Sequence, residues 1–567
     1  MFFTYTHVHT IINNSQLSHL IISGGIILEK TWFELYDKGV PHSILYPPLA
    51  LKDLFSHHVK TNPEREYLIL NDITITYREC NEKACRLANG LMEMGVKKGD
   101  RVAFMIPNVP QYVIALQACF KIGAIVVPVN PLAPAPEVAH YLEDSGAEIM
   151  IVMALLANSA IAVLKEGKTP MKQLITFQVK AMAAEIEKHN DIYDFDEIIA
   201  SGNSAEPDIK VYTDDIAMLQ YTGGTTGVSK ACVLHNRNIL ALAYQENYWL
   251  ATVMDKKEIF RSLAAIPLYH IYGFNTNVNI NLVAGGSIVL VPQPTTDNIL
   301  AAVNMHEPNF FAAVPTMIIG LNQHPDISKS KIRSIKGMIS GSAPLALEAL
   351  KTFEELSGAI ITEGYGMSES SNVLTVNPLK TLRKPGGVGL PMPDNDLKIV
   401  DIDTGTKEMP TGEPGEIIAR GPSIMSEYWN KPEETAQAIR DGWFYTGDIG
   451  YIDSDGHVFI VDRKKDMVIS SGFNVYPRDI DELMYTHPKV LRACAFGVPD
   501  EKRGEAVKLT LVLKPGETMT VEEVLSFCRE NLTAYKVPRE VEFLEDLPLT
   551  PVGKADRKEL RRRELEK

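Results

Sequence analysis

The stretch YTGGTTGVSK, residues 221–230, is the most informative part of the sequence. It follows a strand-like run at 216–219 and precedes a helical pattern that begins near Asn236. Glycines let the backbone approach an anion closely, the threonine hydroxyls donate hydrogen bonds, and Lys230 supplies a point charge. A Walker A loop ends in Gly-Lys-Ser or Gly-Lys-Thr, whereas Ala231 follows Lys230, which argues against a P-loop kinase or ATPase. On these residues alone, a phosphate-binding loop and a flexible surface loop both remain open.

Around this loop, strand-like runs alternate with helical patterns. The run at 149–164 predicts a buried strand followed by a helix, and the pattern at 110–122 predicts a helix. Strands that alternate with helices indicate parallel α/β layers. The other strand-like runs cover residues 101–106, 124–129, 147–152, 286–291 and 310–314.

The pattern of residue types along the sequence changes after residue 384. Between 384 and 461, short strands are separated by Gly, Pro and Asp, and residues 453–456 (DSDG) are typical of a hairpin turn. A charged run, DRKKD at 462–466, precedes a last stretch of mixed strands and helices. We therefore predict an α/β fold with two domains. A large N-terminal domain of layered α/β subdomains plus a β-rich subdomain covers residues 30–462, and a small α+β domain covers 463–567.

Composition excludes some classes of protein. A net charge of -15 over 567 residues argues against nucleic-acid binding as the main task. Six scattered cysteines form no metal-binding spacing, which predicts a reducing compartment, the cytoplasm. No apolar run reaches the ~20 residues of a membrane-spanning helix, so a transmembrane segment is not expected, while peripheral membrane contact and a homodimer stay open.

The basic tail at 557–567 is interpreted as a solvated helix end. A secretory signal carries positive charge before its apolar core, but no lysine or arginine precedes the apolar stretch within residues 1–29. These residues are therefore interpreted as a disordered or non-native extension.

Further segments carry residues suited to chemistry, although each has an ordinary structural interpretation. A lone histidine beside aromatics is commonly a core residue, a single glutamate a surface acid, and SGSAP a strand-to-helix turn with proline at the helix start. The segments are PLYHIYG at 267–273, SGSAP at 340–344, EGYGMSE at 363–369, YTGDIG at 445–450, DRKKD at 462–466, SSG at 470–472 and PLTPVGK at 548–554.

In this order the segments resemble the motifs of the adenylate-forming superfamily, which includes acyl- and aryl-CoA ligases, firefly luciferase and the adenylation domains of peptide synthetases. The loop at 221–230 is similar to that family's phosphate-binding signature, with Gly223, Ser229 and Ala231 as departures. The resemblance covers about residue 30 to the C-terminus, and each principal motif occurs once. Residues 32–41 (WFELYDKGVP) and 130–132 (NPL) resemble bacterial or archaeal fatty-acyl-CoA ligases.

The resemblance implies a site for ATP and AMP. Glycines on both sides free Tyr365 to stack on adenine, and Asp448 with Arg463 would contact the ribose hydroxyls. The other residues implied at the nucleotide are Thr222, Gly223, Gly224, Thr225, Thr226, Gly227, Lys230, Gly341, Ser342, Ala343, Gly364, Gly366, Met367, Ser368 and Lys554.

The implied catalytic residues are Lys554, Glu369, His270 and Lys230. Glu369 and Thr226 would bind Mg²⁺, which prefers hard oxygen ligands. Lys230 would contact the outer phosphates of ATP, and Lys554 would bridge the carboxylate substrate and the α-phosphate. No side-chain nucleophile is required.

The resemblance also implies an acyl site, a coenzyme A site and a hinge near Lys465, about which a mobile C-terminal domain, residues 463–567, would turn. The acyl site would be lined by His270, Phe274, Val314, Gly341 and Gly366. The coenzyme A site would contain Ser471, Gly472, Arg503 and Lys536.

The activity implied is that of an ATP-dependent acyl-CoA ligase, an acid-thiol ligase that uses ATP, Mg²⁺ and coenzyme A. A medium- or long-chain fatty acid is the expected substrate. The alternatives are an aryl-CoA ligase, an acyl-AMP ligase that loads a carrier protein, and a member that binds nucleotide without chemistry; the last predicts loss of Lys554 or Glu369, and both are present.

Overall fold

The computed structural model describes residues 30–179, 182–186, 189–222, 229–255, 257–470, 473–500, 504–549 and 555–566. Helices cover both faces of two large sheets, as expected for an α/β fold. In chain order they are α1 Leu51–Thr61, α2 Tyr77–Glu93, α3 Pro110–Ile122, α4 Ala135–Ser145, α5 Asn158–Glu166, α6 Phe195–Ser201, α7 Asn236–Leu250, α8 Ile271–Gly273, α9 Ile280–Ala284, α10 Thr296–His306, α11 Pro315–Gln323, α12 Leu347–Ser357, α13 Pro432–Ala438, α14 Pro477–Tyr485, α15 Val521–Asn531 and α16 Arg557–Leu565.

A nine-stranded sheet forms the centre of the N-terminal part, in the order β16-β15-β14-β13-β12-β10-β11-β1-β2. The strands from β14 to β1 are parallel, and those at both edges are antiparallel. They are β1 Glu66–Leu70, β2 Ile73–Thr76, β10 Arg261–Ala264, β11 Ser287–Leu290, β12 Phe310–Ala313, β13 Gly337–Ser340, β14 Ile360–Tyr365, β15 Thr375–Val376 and β16 Leu390–Pro391.

A seven-stranded sheet, β7-β6-β5-β3-β4-β8-β9, is parallel except for its last pair. Helix α3, which follows β3, is buried on nearly every side. It begins at Pro110, and the residue that follows its last turn, Gly123, adopts the left-handed conformation that terminates helices (φ +66°). The strands are β3 Arg101–Met105, β4 Ile125–Pro128, β5 Ile149–Met153, β6 Gln173–Phe177, β7 Ile192–Asp194, β8 Ile216–Tyr221 and β9 Ala231–His235.

The β-rich sheet predicted after residue 384 is present and antiparallel. The predicted hairpin turn joins its last two strands, where the Asp453 carboxylate accepts the backbone N–H groups of Asp455 and His457, and Gly456 has φ +85°. The strands are β17 Asp396–Val400, β18 Gly415–Arg420, β19 Ile439–Arg440, β20 Trp443–Ile452 and β21 Val458–Arg463.

A separate five-stranded sheet follows, with α14, α15 and α16 around it, and it encloses its own apolar core. The α/β class and the division into a large N-terminal and a smaller C-terminal domain are therefore confirmed. The strands are β22 Val468–Ser470, β23 Phe473–Val475, β24 Val490–Asp500, β25 Gly504–Leu513 and β26 Glu540–Phe543.

The interpretation of the basic tail as a solvated helix end is wrong for its inner face. Arg557 pairs with the buried Asp481, and Arg561 lies 3.4 Å from Asp466. Arg562 and Arg563 pair with Glu559 on the exposed side. Helix α16 is thus attached to the C-terminal domain by ion pairs as well as by Leu560, which is buried.

Every helix in the described part of the chain is too short or too polar to cross a bilayer. All six cysteines are buried and occur as free thiols.

Candidate active site

The predicted segments after β12, β13 and β14 lie at one edge of the nine-stranded sheet, because these strands are parallel neighbours. Val314 follows β12, Gly341 and Ser342 follow β13, and Gly366 follows β14. Ligands of open α/β sheets bind at the carboxyl ends of the strands. The structure therefore brings together residues that are far apart in the sequence at an edge suited to ligand binding.

Two of the predicted glycines lie where a side chain would meet other atoms. A Cβ added at Gly341 would lie 3.0 Å from the ring of Tyr272. A Cβ added at Gly366 would lie 1.7 Å from the carbonyl oxygen of Asn372, far inside van der Waals contact. Glycine is therefore required at position 366, and at 341 it lets the backbone pack closely against the ring of Tyr272.

Tyr365, Asp448 and Arg463, which were predicted to contact adenine and ribose, form one cluster. The hydroxyl group of Tyr365 donates a hydrogen bond of 2.6 Å to Asp448 Oδ2, and Arg463 Nε lies 3.5 Å from Asp448 Oδ1. Asp448 on β20 pairs directly with Arg463 on β21. Loss of solvent raises the pKa of Tyr365 far above its ordinary value and the negative charge of Asp448 adds to this, so the phenol stays protonated and donates.

Glu369 lies in the short turn after β14, with its carboxyl group directed at Tyr428. The Tyr428 hydroxyl donates to Glu369 Oε1 at 2.7 Å, and Lys230 Nζ lies 4.8 Å from the centre of the Tyr428 ring. Loss of solvent raises the pKa of the Glu369 carboxyl group, and the hydrogen bond from Tyr428 opposes this shift. The structure thus brings the predicted Lys230 and Glu369 to the ring and to the hydroxyl group of one side chain.

The predicted acyl wall begins at the start of α8. His270 Nδ1 accepts the backbone N–H of Tyr272 at 3.2 Å, and the Tyr272 hydroxyl donates to the carbonyl oxygens of Ala313 and Ile339. Phe274, which begins a π-helix, is fully buried. The ring of Tyr272, which belongs to this wall, packs against Gly341.

The remaining predicted residues divide into two groups. Thr222, whose N–H donates to the carbonyl of Lys230, lies at the end of the β8–β9 hairpin, while Gly364, Met367 and Ser368 border Tyr365. Ala343 is exposed beside Ser342. Outside the described residues lie Gly223, Gly224, Thr225, Thr226, Gly227, Ser471, Gly472, Arg503 and Lys554.

Two lysines have partners that the sequence did not predict. Lys464, in the charged run DRKKD, pairs at 2.8 Å with the buried Glu416 on β18, and its backbone N–H donates to the carbonyl oxygen of Gly447. Lys536, predicted at the coenzyme A site, forms an ion pair of 2.5 Å with Asp479 on α14.

Helix α7 begins at Asn236, as predicted, and strand β9 lies between it and the loop at 221–230, so this loop does not lead directly into a helix as a P-loop would. The structure differs from prediction at SGSAP, because Pro344 does not begin a helix and α12 begins only at Leu347. Ser342 instead has a left-handed backbone (φ +70°), and the N–H of Leu345 donates to the buried Glu363. Sequence reasoning missed Tyr428, because no motif marks it, and gave no role to Glu363, although this residue begins the segment EGYGMSE.

Comparisons with known proteins agree with this geometry. The model of the AMP-binding enzyme family matches residues 55–429, and the model of the AMP-binding enzyme C-terminal domain matches residues 479–554. The long-chain-fatty-acid–CoA ligase of Bacillus subtilis (strain 168) is 36% identical over 555 residues, covering 95% of this chain and 99% of that protein.

Solved structures show the same similarity. The ATP-bound MatB of Rhodopseudomonas palustris has a TM-score of 0.81 and 30% identity, covering 91% of this chain and 99% of that chain. The anthranilate CoA ligase AuaEII in complex with anthranoyl-AMP has a TM-score of 0.82 and 25% identity, covering 93% and 99%. The chain therefore belongs to the AMP-binding enzymes, the adenylate-forming superfamily, and within it to the acid-thiol ligases.

Proposed function

We propose that the chain converts a medium- or long-chain fatty acid to acyl-AMP and pyrophosphate, and then to acyl-CoA and AMP. The observation that carries the proposal is the cluster of Tyr365, Asp448 and Arg463 at the carboxyl edge of the nine-stranded sheet. It offers an aromatic face to adenine and a carboxylate to a diol. The Bacillus subtilis relative, named for a long-chain fatty acid, favours this class of acid.

In the first step, a carboxylate oxygen attacks the α-phosphorus of ATP and the bond to the bridging oxygen breaks, releasing pyrophosphate. An anion here approaches a polyanion, so the barrier is mainly electrostatic and is lowered by positioned cations. We assign Lys230 to the outer phosphates and Lys554 to the α-phosphate and the attacking carboxylate. Asp448 holds the ribose, which sets the position of the α-phosphorus.

Glu369 fits a divalent cation that arrives with the nucleotide. Its carboxylate and the ammonium group of Lys230 both contact Tyr428, which places a hard oxygen ligand near a cation suited to phosphates. Mg²⁺ takes one or two carboxylates together with substrate phosphates, and when bound it neutralises phosphate charge. Glu369 would hold the ion, and we also assign Thr226 to it.

In the second step, the sulfur of coenzyme A attacks the acyl carbon and the bond to the phosphate oxygen breaks, releasing AMP. We propose that residues 463–567 rotate about Lys465 between the steps, which withdraws the Lys554 loop and presents Ser471 and Gly472 to the thiol. Arg503 and Lys536 would contact the phosphates of coenzyme A. Lys536 would first have to leave Asp479, its partner in the described conformation.

An aryl acid is the second candidate substrate. The anthranilate CoA ligase is similar over almost the whole of both chains, so the fold accommodates aromatic acids as well. Gly341 and Tyr272 line the part of the acyl site that would have to differ between fatty and aryl acids.

The buried free thiols favour the cytoplasm as the compartment of the protein.

A screen of pyrophosphate release tests the proposal. Fatty acids of graded chain length and benzoate- or coumarate-like acids are supplied with ATP, with and without coenzyme A. We expect release with fatty acids, and AMP with acyl-CoA only when coenzyme A is present. Formation of ADP and phosphate, preference for the aromatic acids, or thioester formation on a carrier protein without coenzyme A would overturn the proposal.

A further inference from the structure

We propose that Tyr428 is a positioning residue for adenylation, which holds Glu369 through its hydroxyl group and Lys230 through its ring. The inference rests on the proposed function, in which these two residues contact the metal and the phosphates. It adds a residue that connects them.

The two charged groups use different parts of the same side chain. The hydroxyl group of Tyr428 donates to Glu369 Oε1 at 2.7 Å, and Lys230 Nζ lies 4.8 Å from the ring centre, within the range of a cation–π interaction. Tyr428 is only 8% exposed, so water competes weakly for both contacts. One rigid ring therefore sets the spacing between an anion and a cation that must face the same phosphates.

The backbone of this segment is joined to the strand that follows Lys230. Tyr428 forms an antiparallel bridge with Cys232 on β9. The N–H of Val233 donates to Glu427 at 2.9 Å, and the N–H of Trp429 donates to Ala231 at 2.8 Å. The segment thus continues the seven-stranded sheet beyond β9.

The same segment is also joined to the turn that carries Glu369. The N–H of Met425 donates to the carbonyl oxygen of Glu369 at 2.7 Å. The N–H of Tyr428 donates to Thr435 Oγ1 at 3.0 Å, which ties Tyr428 to α13. Backbone bonds in both directions make Tyr428 a fixed connection between the loops of two sheets.

This arrangement predicts separable effects for the two halves of the side chain. A hydrogen bond that orients a metal-binding carboxylate acts on metal affinity, whereas a ring under an ammonium group acts on phosphate binding. Tyr428→Phe removes only the first contact. Tyr428→Met, of similar bulk, removes both.

The test measures Mn²⁺ affinity by electron paramagnetic resonance in the presence of α,β-methylene-ATP, which the enzyme cannot cleave. We expect Tyr428→Phe to weaken Mn²⁺ binding about tenfold, as for loss of a hydrogen bond to a charged group. Binding of the metal-free analogue should not change. Tyr428→Met should weaken both, and the double variant Tyr428→Phe/Glu369→Gln should bind Mn²⁺ no more weakly than Glu369→Gln alone.

Tyr46→Phe is the matched control, because it removes a tyrosine–carboxylate hydrogen bond of 2.8 Å to Asp394, a residue that has no part in the proposed site. It should leave Mn²⁺ affinity unchanged, and thermal midpoints check the folding of every variant. If Glu369→Gln weakens Mn²⁺ binding but neither Tyr428 variant does, the inference on Tyr428 is wrong and the proposed function stands. If Glu369→Gln has no effect, the metal assignment in the proposed function fails, and the inference fails with it.

Discussion

The hydroxyl group of Tyr365 donates a 2.6 Å hydrogen bond to Asp448, although the two residues are 83 positions apart in the sequence. The bond joins the carboxyl end of β14 to β20 of the antiparallel sheet. It orients the Asp448 carboxylate and leaves Oδ1 beside Arg463. This pair is the part of the site on which the proposed nucleotide recognition depends most directly.

Asp448→Asn should lower kcat/KM for ATP by about ten- to a hundredfold, because an amide accepts hydrogen bonds from a diol less well than a carboxylate does. The loss should be specific to the ribose hydroxyls. Pyrophosphate exchange with ATP and with 2′,3′-dideoxy-ATP checks this. The wild type should discriminate between the two nucleotides, and the variant should discriminate much less; equal discrimination by both proteins would remove Asp448 from the ribose site.

Lys554→Ala should abolish formation of the acyl-adenylate but largely spare transfer of the acyl group from synthetic acyl-AMP to coenzyme A. Removing one charged contact to the transition state should reduce the adenylation rate by about 10²–10³. Both half-reactions are measured on one preparation, with Lys558→Ala on α16 as the control. An equal loss of both half-reactions would argue against a separate adenylation role.

Lys465→Pro should preserve adenylation and impair thioester formation. Proline fixes φ near −65° and removes an N–H, so residue 465 can no longer visit two backbone conformations. The described conformation is already restrained, since Arg561 of α16 contacts Asp466 next to Lys465. Pyrophosphate exchange and consumption of synthetic acyl-AMP separate the two steps, and wild-type rates in both would mean that the hinge lies elsewhere.

Glu246→Gln should change the pH dependence of stability. Glu246 on α7 is buried, and within the described chain only its Oε1 has a partner, the amide of Asn372 at 3.2 Å. Burial raises the pKa of this carboxyl group to about 8 from 4.5, and the Asn372 amide opposes the shift. Folding therefore favours the protonated form, and this contribution to stability is present below pH 4.5 and is lost as the pH rises through about 8.

Thermal midpoints measured from pH 5 to pH 9 check this prediction. Glutamine resembles the protonated acid, so the variant should match the wild type near the acid end and exceed it in stability at the alkaline end. Glu355→Gln, on the exposed side of α12, serves as the control. Parallel curves for Glu246→Gln and the wild type would contradict the assignment.

The sequence predicted the local elements well, because strand and helix patterns depend on nearby residues. Strand β3 and helix α3 lie where the apolar runs indicated, and the DSDG turn closes the predicted hairpin. The motif order also predicted that Tyr365, Asp448 and Arg463 belong to one site.

What the sequence could not predict are contacts set by tertiary packing. Tyr428 lies 59 positions from Glu369, and Lys464 lies 48 positions from Glu416. Arg557 pairs with Asp481, 76 positions away. This contact attaches helix α16, which the sequence predicted to be solvated, to the C-terminal domain. No periodicity or spacing marks such partners, because they depend on how the sheets pack against each other.

Formation of an acyl-adenylate is the central claim, and transfer of heavy oxygen tests it most directly. The enzyme is supplied with a fatty acid labelled with ¹⁸O in its carboxylate, together with ATP and coenzyme A, and the products are analysed by mass spectrometry. Because a carboxylate oxygen attacks the α-phosphorus and stays with it when sulfur displaces AMP, one labelled oxygen should appear in AMP and none in pyrophosphate. Label in inorganic phosphate, or AMP without label, would contradict the account.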